Sequence, residues 1–160
     1  MEVRRLQVAD SEMLRGLRLR ALLDEPSAFG STYERERDFT PDVWPQRLTT
    51  VGNAHFVCED DGAAVGMVAV VRDGPDAVVG NIVGMWVDPV ARGRGAADAL
   101  LSAVIGWTSQ EHVPTLQLHV TEGNGRAERL YERHGFARTG RNFARERDGV
   151  IEIEMQRTSD

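Results

Sequence analysis

Residues Val87 to Ala97 read V-D-P-V-A-R-G-R-G-A-A, an apolar run that ends in an Arg- and Gly-rich loop and passes directly into a helical pattern. That order suits an anion. Gly93 and Gly95 let backbone N–H groups approach closely, the helix opened by Ala96 and Ala97 adds unpaired donors and partial positive charge, and Arg92 and Arg94 supply fixed cations. Three phosphate-binding readings compete. A P-loop needs G-K-S or G-K-T, and all 19 basic residues here are arginine, which removes both nucleotide triphosphate hydrolysis and Schiff-base chemistry. A dinucleotide-binding fingerprint needs a third glycine and an acid near the end of the next strand, where Gln117 and His119 stand instead. Coenzyme A remains.

Working outward, Ala77 to Val87 is long and apolar, as expected of a strand at the centre of a sheet, covered on both faces. Before it, H-F-V-C-E-D from His55 and A-V-G-M-V-A-V-V form a predicted hairpin around Asp61 and Gly62, and D-G-P-D at Asp73 to Asp76 is a second turn. Nearer the start, a short alternating segment spans Val3 to Gln7. Asp10 is then placed to cap a helix carrying Met13, Leu14, Leu17, Ala21 and Leu22, ended by Pro26. Ser27 to Asp38 reads as irregular or helical, and Thr40 with Pro41 suggests another helix start, complicated by Pro45. Beyond the loop the pattern predicts a helix from Gly95, a strand over Leu116 to Val120, and a helix from Gly125 to His134. A closing hairpin follows, in which Asp148 and Gly149 join a strand ending near Arg147 to Val150–Met155.

A length of 160 residues with 41% hydrophobic and 28% charged content fits a single globular domain over 1–160, without repeats or linkers. A net charge of -6 argues against nucleic acid and anionic membranes as partners. Cys58, the single cysteine, sits in an apolar strand-like run and reads as a buried thiol. The first ten residues carry charges where a signal peptide needs an apolar stretch, and no apolar run approaches the ~18 residues of a span, so a cytoplasmic location is expected.

Beyond the loop, Leu118 to Phe136 read L-H-V-T-E-G-N-G-R-A-E-R-L-Y-E-R-H-G-F. The two segments in this order resemble the GNAT superfamily of acyl-CoA-dependent N-acyltransferases. Arg92, Gly95 and Ala97 fill its Arg/Gln-x-x-Gly-x-Gly/Ala signature, and the Arg18 to Glu36 stretch looks like a subgroup common among bacterial members. The resemblance implies an α+β sandwich whose central mixed, mostly antiparallel sheet is flanked by helices and splayed at the cofactor site. It implies acetyl-CoA as cosubstrate and no metal. Backbone groups at Met85 and Val87 would hold the pantetheine arm, the loop Arg92, Gly93, Arg94, Gly95, Ala96 and Ala97 the pyrophosphate, and Asn124 would touch the cofactor. Tyr131, two helical turns beyond Asn124, would face the sulfur as proton donor.

The implied reaction is acetyl transfer to a primary amine of a small molecule or peptide; a non-catalytic acyl-CoA sensor is the alternative. Met1 to Asp88 hold 15 acids against 9 arginines, which favours a cationic acceptor if that half builds the pocket. Glu34 is the preferred general base, with Glu36, His119, Glu122 and water as the other candidates. The resemblance also allows a homodimer.

Overall fold

The computed structural model describes residues 1–159. A seven-stranded sheet in the order β1-β2-β3-β4-β5-β7-β6 is covered by helices on both faces. Its strands are β1 (Glu2–Arg5), β2 (Ala54–Asp60), β3 (Ala63–Val71), β4 (Val79–Val87), β5 (Thr115–Thr121), β6 (Ala137–Ala144) and β7 (Ile151–Thr158). The helices are α1 (Ser11–Asp24), α2 (Tyr33–Arg37), α3 (Val43–Thr49), α4 (Ala96–Gln110) and α5 (Gly125–Arg133). Alternate residues of β2 enter different cores. Phe56 and Cys58 pack with Leu100, Leu101 and Val104 of α4, while Val57 joins Leu14, Leu17 and Trp44 beneath α1 and α3. Cys58 is fully buried, and burial pushes its thiol up, so it behaves as a small apolar side chain.

Every neighbouring pair is antiparallel except β4 and β5, which run parallel and are joined by the α4 crossover. That parallel ladder is short: only Val79–Asn81 and Thr115–Gln117 are partnered. β5 then stays with β7 along its whole length, and β4 stays with β3, so the two halves of the sheet diverge. A bulge marks the divergence. Gly84 and Met85 together oppose Val68, between the pairs Met67↔Trp86 and Ala69↔Val83. Gly84 has φ +65, a conformation in which a side chain would be strained.

Several local expectations need correction. β4 is central but not covered along both faces: Val83 is 44% exposed where the strands part. Asp10 stands before α1 without capping it, because its carboxylate accepts from the Gln7 N–H at 2.7 Å and from Arg4. Pro45 does not break α3, since it lies in the first turn, where its missing N–H has no intrahelical partner to lose. β6 ends at Ala144 rather than near Arg147, because residues 145–150 form a turn closed by Arg145 N donating to the Val150 carbonyl at 2.9 Å. Arg145 and Arg147 instead reach back to carbonyls of Ser27 and Phe29, fastening the segment after α1.

Candidate functional site

The split between β4 and β5 opens a cleft of about 700 Å³. Val83, Gly84 and Met85 form one wall and Leu118 to Thr121 the other; Asn124 and Tyr131 enter from α5, Arg18 and Phe29 from the α1 side. Backbone direction in β4 follows from its ladder. Asp88 N donates to the Val65 carbonyl at 2.8 Å, so by antiparallel alternation Trp86 and Asp88 address β3, while the peptide groups of Met85 and Val87 turn toward the gap. Arg92 Nε occupies the Val87 carbonyl at 2.9 Å.

The loop after β4 continues from that wall. Asp88 Oδ1 accepts from Val90 N at 3.0 Å and shapes the turn over Pro89–Ala91. Gly95 then stands at the N-cap of α4 with φ +89, and a Cβ placed on Gly93 or Gly95 would meet nothing within 4 Å. Open space thus lies beside both glycines, and no side chain caps the start of α4, which leaves its first N–H groups available to an anion. Asp98 in the first turn would oppose an anion, but it is engaged by Arg133 and His134 at 3.1 and 2.8 Å.

Both arginines of this loop are engaged by carboxylates. Arg92 Nη2 lies 2.5 Å from Asp24 Oδ2 and 2.9 Å from Glu25 Oε1, so its charge is neutralised at the end of α1. Trp86 Nε1 donates to the same Asp24 oxygen at 3.0 Å; this bond first, and Arg92 with it, holds the Asp24 carboxyl below the usual range. Arg94 is more exposed and pairs with Asp60 at 2.9 Å. Asp24 and Glu25 were not singled out from sequence, because nothing local links them to a loop some 68 residues away.

Asn124 caps α5, its side-chain oxygen accepting from Ala127 N at 3.2 Å, and it also lines the cleft. Tyr131 follows two turns later, buried edge-on against Phe136 with ring centres 5.9 Å apart. Burial pushes its phenol up to about 12, so it stays protonated across the neutral range.

Of the base candidates, the structure brings only His119 to the cleft. Its ring meets Phe143 edge-on at 5.0 Å, and its Nε2 lies 3.7 Å from Glu154 Oε2. Arg141 first, then Thr139, hold the Glu154 carboxyl below its usual range, so it is anionic beside the imidazole. Glu34 is exposed on α2 and does not line the cleft. Two residues on, Glu36 points the opposite way into the core, 1% exposed. Burial pushes the Glu36 carboxyl up, but Arg18 and Arg47 at 2.9 and 3.2 Å outweigh that and hold it ionised. Glu122 is exposed and outside the lining. The acid excess of the N-terminal half is likewise absent from the cleft, whose lining takes Arg18 and Arg47 from that half against Glu25 alone. Among the described residues no cluster of His, Cys, Asp and Glu is arranged to hold a metal ion, and no helix is long and apolar enough to cross a membrane.

Residues 18–136 match the family model for the acetyltransferase (GNAT) family. The chain is 31% identical over 122 residues to the mycothiol acetyltransferase of Beutenbergia cavernae, a match covering 75% of this chain and 39% of that protein. It spans less than half the length of the curated relatives it matches. Among solved structures, a GNAT-family acetyltransferase from Streptococcus pneumoniae superposes with a TM-score of 0.83 at 19% identity, over 99% of both chains. The yncA protein of Salmonella typhimurium, solved with its cofactor acetyl-CoA, gives 0.81 at 19% identity, over 100% of this chain and 94% of that one. At such identities the likeness shows the fold: the splayed mixed sheet flanked by helices.

Proposed function

Because the chain belongs to the GNAT acetyltransferase family, we propose that it moves the acetyl group of acetyl-CoA to a primary amine of a small molecule or peptide, by direct attack in a ternary complex. The observation that carries this reading is a parted strand pair leading into a glycine-lined helix start, two adjoining features that match the two ends of one cosubstrate. The cosubstrate supplies an activated acyl thioester and the acceptor the attacking nitrogen; the chain binds and orients both and moves the protons.

The residues fit that group. N–H groups from Gly93 through Ala97 serve as donors for the pyrophosphate, with Arg94 as the outlying cation and Arg92 as the brace of the loop. The peptide groups of Met85 and Val87 offer the pantetheine amides the pairing that β5 no longer gives, and the N–H near the bulge polarises the carbonyl under attack. Asn124 contributes a polar side chain to the cleft wall. Tyr131, kept protonated, delivers a proton to the departing thiolate. His119, backed by anionic Glu154, replaces Glu34 as the group that takes the proton from the attacking amine, directly or through water. No metal takes part in this reading. A single domain in a bacterial cytoplasm, as monomer or homodimer, completes it, in line with the bacterial relatives.

The test is a thermal melt with coenzyme A, followed by a mass-spectrometric screen of amine mixtures with acetyl-CoA. Stabilisation together with acetylated product supports the enzyme. Stabilisation without product for any amine favours the sensor, and no stabilisation removes both.

A further inference from the structure

The acceptor side of the cleft has an organised positive corner. Arg18 of α1 places Nε and Nη2 on the two oxygens of buried Glu36, at 3.0 and 2.9 Å, and Arg47 of α3 donates to the same carboxylate at 3.2 Å. Two guanidinium groups on one carboxylate leave one positive charge in excess. Arg18 Nη1 takes no part in the pair, and it stands at the bulge: a Cβ placed on Gly84 would meet that nitrogen at 3.8 Å. The guanidinium lies over the Phe29 ring at 5.0 Å, and only 16% of the side chain is exposed. Its direction is thus fixed by Glu36 and Phe29, and its charge is poorly screened. His55, in the same lining, reports the same field: burial first, then the cations of Arg47, Arg5 and Arg18, lower it to about 4. Of the other charges facing this side, Arg145 and Arg147 balance Asp148 and Glu152, while Arg92 is shared by Asp24 and Glu25 and leaves one negative charge at the end of α1.

We propose that the acceptor is an amine with a carboxylate on the neighbouring carbon, an α-amino acid or a molecule ending in one, whose carboxylate is held by Arg18 with Arg47 behind it. This rests on acyl transfer taking place in the cleft. The close spacing of the two acceptor groups follows from geometry. The unused Arg18 nitrogen lies beside Gly84, next to the Met85 peptide group at which the amine must arrive, so anion and nucleophile have to be near neighbours. A polycation would meet like charge at the same point.

The experiment measures coenzyme A release with the common L-amino acids and with their C-terminal amides as matched acceptors at pH 8. The free acids should exceed their amides in kcat/KM by roughly tenfold or more, the usual effect of one charge-assisted hydrogen bond, although the amides present more neutral amine at that pH. The double variant Arg18→Gln with Glu36→Gln removes the guanidinium at Gly84 and leaves no isolated buried acid; only the charge of Arg47 then remains in the lining, so the acid-to-amide ratio should fall several-fold, while Arg18→Lys keeps more of it. Calorimetric titration of an acetylated amino acid into the coenzyme A complex should show the same ranking without turnover. The proposal is overturned if amides or spermidine are acetylated as well as the acids, if no amino acid in the panel is acetylated, or if the double variant keeps the wild-type ratio. In each of those outcomes a coenzyme A melt shift with acetylation of any other amine leaves acyl transfer standing; loss of the melt shift removes acyl transfer itself and this proposal with it.

Discussion

Arg92 Nη2 and Asp24 Oδ2 meet at 2.5 Å and join the first residue of the glycine loop to the last residue of α1. Trp86 Nε1, near the end of β4, donates to that same oxygen, so three elements depend on one carboxylate. Asp24→Asn keeps the shape and removes the charge. We expect it to lower stability by about 1 kcal/mol, seen as a shift in Tm of a few degrees, and to weaken coenzyme A binding several-fold in a calorimetric titration. A loop held rigidly without this pair would show neither change.

Gly95 separates strain from anion exclusion. With φ +89 and open space beside its Cα, both Gly95→Ala and Gly95→Glu carry a backbone cost of about 1 kcal/mol, but only the glutamate sets a carboxylate before the α4 N–H groups. The alanine variant should retain a coenzyme A melt shift, and the glutamate variant should lose it while staying folded. Equal binding by Gly95→Glu and wild type would falsify the pyrophosphate site.

Tyr131→Phe should reduce kcat by roughly 10 to 100-fold with little change in coenzyme A affinity, because a thiolate already leaves fairly well without help. Burial pushes the phenol up to about 12, so no activity change between pH 6 and 9 should trace to its ionisation. Full kcat in the phenylalanine variant would reduce Tyr131 to its packing against Phe136.

His119→Gln should lower kcat/KM by roughly 100-fold and change the shape of its pH profile, whereas Glu34→Gln, altering an exposed residue outside the lining, should reproduce the wild-type profile. An altered profile in Glu34→Gln with an unaltered one in His119→Gln would reverse the two assignments.

What the sequence made legible here was local. The Asp61–Gly62 hairpin, the glycine loop and the helix opened by Asn124 each depend on residues within a few positions of one another, and each occurs where expected. What was hidden depends on distance in the chain. The Glu34 and Glu36 pair shows this well: both sit in one charged run, and only the packing of α2 against α1 and α3 decides which is buried against Arg18 and Arg47. Composition misled for the same reason, since counting acids over half the chain says nothing about which side chains face the cleft. Arg145 was likewise unreadable, because its partners include carbonyls 116 and 118 residues away.

His55 makes stability depend on pH in a defined window. Its folded pKa is lowered to about 4, chiefly by burial, against an unfolded value of about 6.5, so between these values the unfolded chain binds more protons. Stability is therefore full above about pH 6.5 and falls as pH drops toward 4; below about pH 5 the carboxylates held low by arginines add to the loss, because their unfolded forms begin to take up protons. Urea melts at half-unit steps should show the midpoint falling through that range, and His55→Gln should flatten the part of it above about pH 5. A wild-type midpoint constant from pH 7 to 4.5 would contradict the assignment.

The three-residue ladder between β4 and β5 also sets the mechanics of the molecule. It is cross-braced by side-chain amides, Gln117 Nε2 donating to Asn81 Oδ1 at 3.4 Å and Gln156 Nε2 to Gln117 Oε1 at 2.7 Å. The two half-sheets therefore resemble the arms of a calliper, pivoting at Val79–Asn81, with the cleft walls out along the arms at Met85 and His119. The gauge of the jaws is fixed at a point remote from any substrate, and leverage multiplies each small displacement there. A methyl group inserted at Gly80, whose Cβ would press on Val70 and Leu116 at 3.0 and 3.2 Å, would thus be felt as a change of aperture several residues away.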